Sequence, residues 1–504
     1  MELARPFQRR PPAVRAMAAR KVVKARSGLG VNAMLGIGLW TLLWLGYNTG
    51  PGAVIQPDFP RDTTDLIQGL RAFLPILGGW LALIVIFLRI HQLPYWMAGP
   101  LGGVFMYGAV GTASSALSIQ PYDEIYWGLM YLSIVLCLLA ISSVENPLTD
   151  LRQLLSFTWI VGTMFTLGLL AALPYFGGAA MTEDIGPTGV RAYVATGEIM
   201  GMATTRNTGF ARYAAVSGLV GLARLTQGKR YVRIAWAGVF LASVYALIIS
   251  NGRTEILAFL LSAILVFAVQ KGKRVIFLIA GLCGAGLLTL TGFYGDFFLY
   301  ITRTGHVDTS MTGRIVIWAR GWELFLRSPA TGLGFQADRF YLAWQHMHNA
   351  FLHALVQAGI LGAAPLYIAL VAVWRLIIKH FVSRQPRDKS LIPPEIPAVL
   401  LFITISSITE STFAYYSATW MLSAPIFAYV VALDRHLKES SAKAAWYKKT
   451  QDASSQTKLD GPRGPRRGNG VPFSSDSWGP AMSRRLGWYR IQTGQPRAVT
   501  VRDS

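Results

Sequence analysis

The sequence predicts an all-α polytopic membrane protein with about twelve transmembrane helices and both ends in the cytoplasm. A long outward loop carrying short amphipathic helices is expected before the tenth helix. Three observations predict this class. Mean hydropathy is +0.40, with 53% of residues hydrophobic and 14% charged, well away from the balance of a soluble domain. Apolar runs of about 20 residues recur between polar or Gly/Pro breaks, without the ten-residue alternation of a membrane barrel. Lysines, finally, are confined to alternate loops.

The net charge of +22 would suit a nucleic-acid partner, but much of it lies in residues 1–26 and 435–504. That distribution describes the cytoplasmic ends of a membrane protein, and no nucleic-acid role is expected. The basic stretch 1–30 leads into an apolar span too long for a signal-peptide core, with no small-residue cleavage pattern after it. It reads as a cytoplasmic N-terminus before an uncleaved first helix; prolines after Arg9 and Arg10 argue against a twin-arginine signal. Cys137 and Cys283 each fall within an apolar run and serve as small hydrophobes, so no disulfide framework or Cys-based metal site is expected.

In chain order, helices are expected at 31–49, 72–90, 96–118, 124–143, 152–175, 208–225, 232–250, 254–270, 274–294, 349–374, 397–413 and 417–434. With the N-terminus inside, the short inward loops carry Lys229, Arg230, Lys271, Lys273 and Lys379, as the positive-inside rule requires. The membrane domain then spans 31–434, with long outward loops at 176–207 and 295–348. Residues 435–504, rich in Gly, Pro, Ser and basic side chains, read as a disordered cytoplasmic tail.

The outward segments contain no lysine; their cations are arginines, among them Arg206, Arg253, Arg314, Arg320 and Arg327. A guanidinium is planar, weakly hydrated and matched to phosphate oxygens, so an arginine-only outer face suits a diphosphate ligand. The plain alternative is compositional bias with ordinary carboxylate pairing. Arg253 stands at a tight turn between two spans, where snorkelling or pairing with Glu255 competes with a phosphate role. Arg206 precedes a helix start, a place that favours anions; Arg212, a turn and a half later, is deeper and suits a buried partner. In the amphipathic stretch 314–327, Arg320 and Arg327 project away from the apolar stripe, whereas Arg314 sits at its edge. Gly332 and Gly334 lack the context of a nucleotide loop and read as a tight turn.

The run HMHNAFLHALVQAGILG, residues 346–362, follows. His346 and His348 lack a third ligand at usual spacing, so no metal is expected. His348, just before Asn349 and an apolar helix, suits a neutral imidazole able to take a proton from a hydroxyl; capping or packing is the alternative. His353 reads as structural. Glu410, placed in the outer half of a predicted span, is costly unless paired, and an outer-face arginine is its expected partner. If the helix ends earlier, Glu410 is simply solvated.

The GRIVIW segment, the GLG turn, HNAFLHALVQAGILG and the preceding outward-turn arginine together resemble the O-antigen ligase and polymerase family, which includes exopolysaccharide polymerases. The resemblance is strongest over 250–415, weaker around RNTGFARY at 206–213, and absent from the tail. A glutamate common in the family's run stands here as Gln357. The resemblance implies a metal-independent, cofactor-free, inverting GT-C-type glycosyltransferase in the bacterial inner membrane, its site facing the periplasm. It would move a glycan from undecaprenyl diphosphate to a sugar hydroxyl of a growing glycan or of lipid A core. It also implies His348 as the base, Arg206, Arg253 and Arg314 as diphosphate ligands, and Glu410 and Asn349 in support. Membrane lipids surround such an enzyme, and a chain-length regulator is a candidate partner. GRIVIW leans towards the polymerase branch. A transporter or flippase of lipid-linked sugars is the alternative; it would place charges deep in several spans, whereas these candidates gather at one face.

Overall fold

The computed structural model describes residues 31–47, 63–144, 147–176, 181–184, 191–194, 198–199, 202–203, 207–225, 229–250, 252–269, 314–342, 346–382 and 392–459. The expected span at 274–294, with Cys283, and the outward loop up to Gly313 lie outside them, as does Arg206. The described helices are α1 (Val31–Leu45), α2 (Thr63–Leu88), α3 (Leu93–Met97), α4 (Pro100–Ser115), α5 (Pro121–Ser142) and α6 (Pro147–Phe176). They continue with α7 (Asn207–Arg224), α8 (Arg230–Ser250), α9 (Arg253–Val269), α10 (Arg314–Arg327), α11 (Ala337–Tyr341), α12 (Ala350–Val382), α13 (Glu395–Ser406) and α14 (Ala418–Leu459).

The described architecture is helical except for two short antiparallel hairpins in the outward segment 176–207. Met181–Asp184 pairs with Arg191–Val194, and Glu198–Ile199 with Met202–Ala203. These depart from the all-α expectation, in a polar, glycine-containing stretch with no 3.6-residue apolar period. Five described helices are long and apolar enough to cross a membrane: Leu66–Leu88, Pro121–Ser142, Pro147–Ala172, Arg230–Ser250 and Ala350–His380. Their outer faces leave Trp80, Ile84, Phe87, Leu241, Ile368 and Val371 exposed, the pattern of a surface solvated by lipid.

Several boundaries differ from expectation, three of them with consequences for the site or the tail. α2 starts at Thr63, which puts Arg71 inside the helix, donating to the carbonyls of Leu45 and Tyr47. α13 stops at Ser406 instead of continuing to 413. α14 continues to Leu459, into the stretch expected to be disordered.

Helices approach closely where residues are small, as membrane packing requires. On α4, a Cβ at Gly103 would lie 2.4 Å from the Pro365 carbonyl oxygen of α12. A Cβ at Gly79 on α2 would lie 2.5 Å from Ser133 Oγ on α5.

The joint that positions the site is a break in α12. Gly359 has φ 56° and ψ −165°, outside the helical region, so the helix ladder is interrupted and backbone groups on both sides need partners. The preceding turn supplies them. Leu333 N donates to Val356 O (2.8 Å) and Gly334 N to Gln357 O (3.0 Å). In return Ile360 N donates to Pro329 O (2.8 Å) and Leu361 N to Ala330 O (3.0 Å). Gly332, at φ 76°, is pressed so close that an added Cβ would sit 2.4 Å from Ala358 N. Expecting a tight turn here is consistent with this geometry, but its partner is the opened helix.

Gly359→Ala tests the joint, because its φ/ψ belongs to a region essentially limited to glycine and its Cβ would meet Ala330 O at 2.3 Å. We expect a loss of at least about 1–3 kcal/mol, seen as a lowered melting temperature in detergent. Gly238→Ala, at a helical position with nothing within 4 Å of the added Cβ, should leave that temperature unchanged or raised.

Candidate functional site

The site is built around Glu410, which lies past the end of α13 in a stretch of Ser and Thr residues. These hydroxyls bond the backbone locally: Ser407 Oγ donates to Ile403 O, and Ser417 Oγ to Thr412 O. Glu410 thus lies outside the helix in which it was expected, yet it is buried, with its side chain 5% exposed, and it has the arginine partner expected of it in Arg314.

Three groups from three other segments meet its carboxylate. Arg212 of α7 donates from Nη1 to Oε2 at 3.2 Å, and Arg314, first residue of α10, from Nη2 to Oε1 at 3.2 Å. His348 places Nδ1 3.2 Å from Oε2. Exposure rises from Arg212 (10%) through Arg314 (22%) to His348 (30%), so the imidazole and Arg314 face the opening and Arg212 closes the back. Glu255, buried on α9, is in electrostatic range of Glu410, Arg212 and Arg314. Two guanidiniums and an imidazole thus share the single carboxylate of Glu410. Each guanidinium has five N–H donors, and Glu410 takes one from each, which leaves Arg314 able to engage an anion as well.

A carboxylate only accepts, so the contact with Glu410 places the imidazole proton of neutral His348 on Nδ1. Nε2 then carries the lone pair. The backbone of His348 adopts φ 49°, in the left-handed region. Asn349 is the residue that caps α12: its Oδ1 accepts from Leu352 N at 2.9 Å and its Nδ2 donates to Ile408 O at 3.1 Å. Ala350 N donates to Ser407 O at 2.8 Å. The start of α12 is thus clamped to the end of α13, and His348 with it. Trp318 of α10 adds a bond from Nε1 to Met347 O at 3.0 Å.

The other two histidines have different surroundings. His346 accepts the His348 backbone N–H on Nδ1 at 3.1 Å, and its ring lies 4.9 Å from that of His348 and 5.3 Å from that of His353. Burial, reinforced by the adjacent His353 and His348, pulls its pKa well below the ordinary value, so it is neutral at pH 7. His353, wholly buried, sets Nε2 2.9 Å from Asp338 Oδ1. With nitrogens of His348 and His353 engaged by carboxylates, no group of three or more His, Cys, Asp or Glu among the described residues is disposed to hold a metal ion.

Of the residues singled out in the sequence, His348, Arg314, Glu410 and Asn349 come together. Arg253 begins α9, and Glu255 of that helix is in electrostatic range of Glu410. The sequence marks Arg212 only as a deep arginine, Asp338 only as a carboxylate for ordinary arginine pairing and Trp318 only as part of the apolar stripe of 314–327, none of them as a site residue; the signal for Arg212 is its place a turn and a half beyond Arg206. Gln357 lies behind the site, fully buried. In the orientation that satisfies its neighbours, its amide donates to Ala414 O (2.7 Å) and Tyr107 Oη (2.5 Å), while its oxygen accepts from Gln336 N (3.1 Å). A carboxylate could not make those two donations, which accounts for an amide here.

Comparison with known proteins agrees with this region. Residues 237–367 match the family model described as O-antigen ligase. The chain is also 25% identical over 219 residues to the exopolysaccharide production protein ExoQ of Rhizobium meliloti (strain 1021), a match covering 38% of this chain and 50% of that protein. The chain thus spans about half the length of that relative. The two matches, the first of them holding Arg314, the GLG turn and the HNAFLHALVQAGILG run, support the resemblance of this chain to the O-antigen ligase and polymerase family.

Proposed function

We propose that the protein is a membrane glycosyltransferase of polysaccharide biosynthesis, and that it polymerises lipid-linked repeat units on the periplasmic side of the inner membrane. The observation that carries the reading is the convergence of Arg212, Arg314 and His348 on buried Glu410. The matched relative's name, an exopolysaccharide production protein, favours polymerisation over ligation to lipid A core.

In this reading the acceptor hydroxyl gives its proton to His348 Nε2, and its oxygen attacks the anomeric carbon of the donor sugar. The bond from that carbon to the diphosphate oxygen breaks, and undecaprenyl diphosphate leaves with the electron pair. Diphosphate is already a good leaving group, so the enzyme's task is charge stabilisation and alignment. Arg314, at the open side, is suited to bind the diphosphate; Arg206 and Arg253 are proposed to help. Glu410 holds the His348 tautomer and stabilises the imidazolium that forms, as a carboxylate does for a general-base histidine. Displacement from the opposite face inverts the anomeric configuration. The linkage itself supplies the driving force, and no cofactor is invoked.

The test is chain growth by purified protein in liposomes given undecaprenyl-diphosphate repeat units alone. Elongation without lipid A core supports the polymerase; product formed only after core is added makes it a ligase. His348→Ala should lower transfer about 10²–10⁴-fold in protein that still inserts, the usual worth of a general base; undiminished transfer would remove histidine from the mechanism. Glu410→Ala should cost roughly 3–5 kcal/mol of stability, because Arg212 is left buried and uncompensated. A melting temperature equal to that of the parent protein would contradict the pairing.

A further inference from the structure

The mechanism uses His348 but does not explain how its unfavourable backbone is held. A non-glycine residue at φ 49° costs about 1–2 kcal/mol and persists only where its surroundings over-determine it. On the C-terminal side Asn349 and Ala350 are bound to the end of α13. On the N-terminal side the anchor is the Met347 residue, held at both polar atoms. Its carbonyl accepts from Trp318 Nε1 (3.0 Å), and its N–H donates to Asp338 Oδ2 at 3.3 Å. Its wholly buried side chain lies against Gly321 of α10, where an added Cβ would approach Met347 Sδ to 2.3 Å.

We propose that Asp338 is a positioning residue for His348: from behind the site it binds the Met347 N–H and the His353 ring, and so fixes the left-handed turn that aims His348 at Glu410. The proposal rests on the reading of His348 as the base. Asp338 and His353 are both completely buried, so the carboxylate is no solvated surface charge. It sits on the short α11, directly after Gln336, itself at φ 59°, and joins three pieces of chain: α11, the 346–349 segment and the second turn of α12. Burial alone would raise the Asp338 carboxyl, but the adjacent His353, Arg339 and the Met347 N–H hold it below its ordinary range, so it is ionised and can accept both bonds. A neutral amide has one acceptor oxygen and would face one of the two donors with an N–H group.

The experiment compares Asp338→Asn and Trp318→Phe with the parent full-length protein in liposomes bearing the lipid-linked donor. Each is expected to lower kcat, Asp338→Asn by about ten- to a hundredfold, the scale of a misplacement near 1 Å. The KM for the donor should stay within about twofold, because neither residue is placed at the diphosphate. Both act on one peptide, so the double variant should lose clearly less than the product of the single losses. A purely structural role would instead reduce the amount of folded protein and leave the kcat of what remains unchanged. Unchanged kcat in both folded single variants overturns the proposal, as does a double variant whose loss equals the product. If Asp338→Asn does not accumulate, the kcat of Trp318→Phe decides alone, since it loosens the same residue from the other side. His348→Ala separates the two levels: full transfer by that variant sinks the base reading itself, whereas its loss beside unimpaired Asp338→Asn and Trp318→Phe sinks only the positioning.

Discussion

The structure around the site depends on one buried carboxylate. An ion taken out of water loses several kcal/mol of solvation, and neither Glu410 nor Arg212 is tenable in its place without the other. Because Glu410 accepts from Arg314 and His348 as well, four segments are pinned at one point: α7, the start of α10, the stretch before α12 and the stretch after α13. The partners are 198, 96 and 62 positions away from Glu410, so the cluster forms only once the bundle has closed. The same requirement that stabilises the fold thus brings the proposed base, His348, and the partly exposed guanidinium of Arg314 onto one carboxylate.

A second constraint sets the segment that carries His348. The break at Gly359 exposes backbone groups of α12, and the 329–334 turn satisfies them with four hydrogen bonds. That turn leads directly into α11 and then to the 346–349 segment, so a break about three turns into the helix also anchors the loop that precedes it. Backbone pairing of this kind is insensitive to side-chain identity at most positions, but it needs glycine where φ is positive and the chains touch, at Gly332 and Gly359. The glycines of this stretch serve close approach of backbone to backbone and not the cradling of a nucleotide.

Much of this was legible in the sequence because it depends on local pattern. Apolar runs marked the five described helices that are long and apolar enough to cross a membrane, and periodicity in 314–327 separated Arg314 from Arg320 and Arg327, which are exposed. What was illegible depends on competition or on distant partners. Residues 397–413 read as one apolar helix, but α13 ends at Ser406 and the Ser407 carbonyl accepts from Ala350 N instead, so Glu410 turns inwards from outside the helix. VQAGILG reads as unbroken helix, since nothing local announces that the 329–334 turn will dock into it. The end of α14 was missed for the opposite reason. Averaging over 435–504 lets Gly and Pro near the end conceal that 435–459 contains neither, and is rich in the helix formers Ala and Lys.

The three histidines show why residue type alone underdetermines a site. His346, His348 and His353 lie within eight positions, and an HxH pair invites a metal reading. Their surroundings divide them. His353 faces a buried carboxylate on Nε2 and is locked into the packing behind the site. His346 spends Nδ1 on a backbone N–H and is kept uncharged by burial. His348 alone combines a carboxylate on Nδ1 with an exposed ring edge, the combination that leaves a lone pair on Nε2 and a counter-charge for the proton it would gain. A general base needs both conditions together. In this cluster they coincide at one residue, because Asn349 and Met347 hold it in a conformation it would not otherwise adopt.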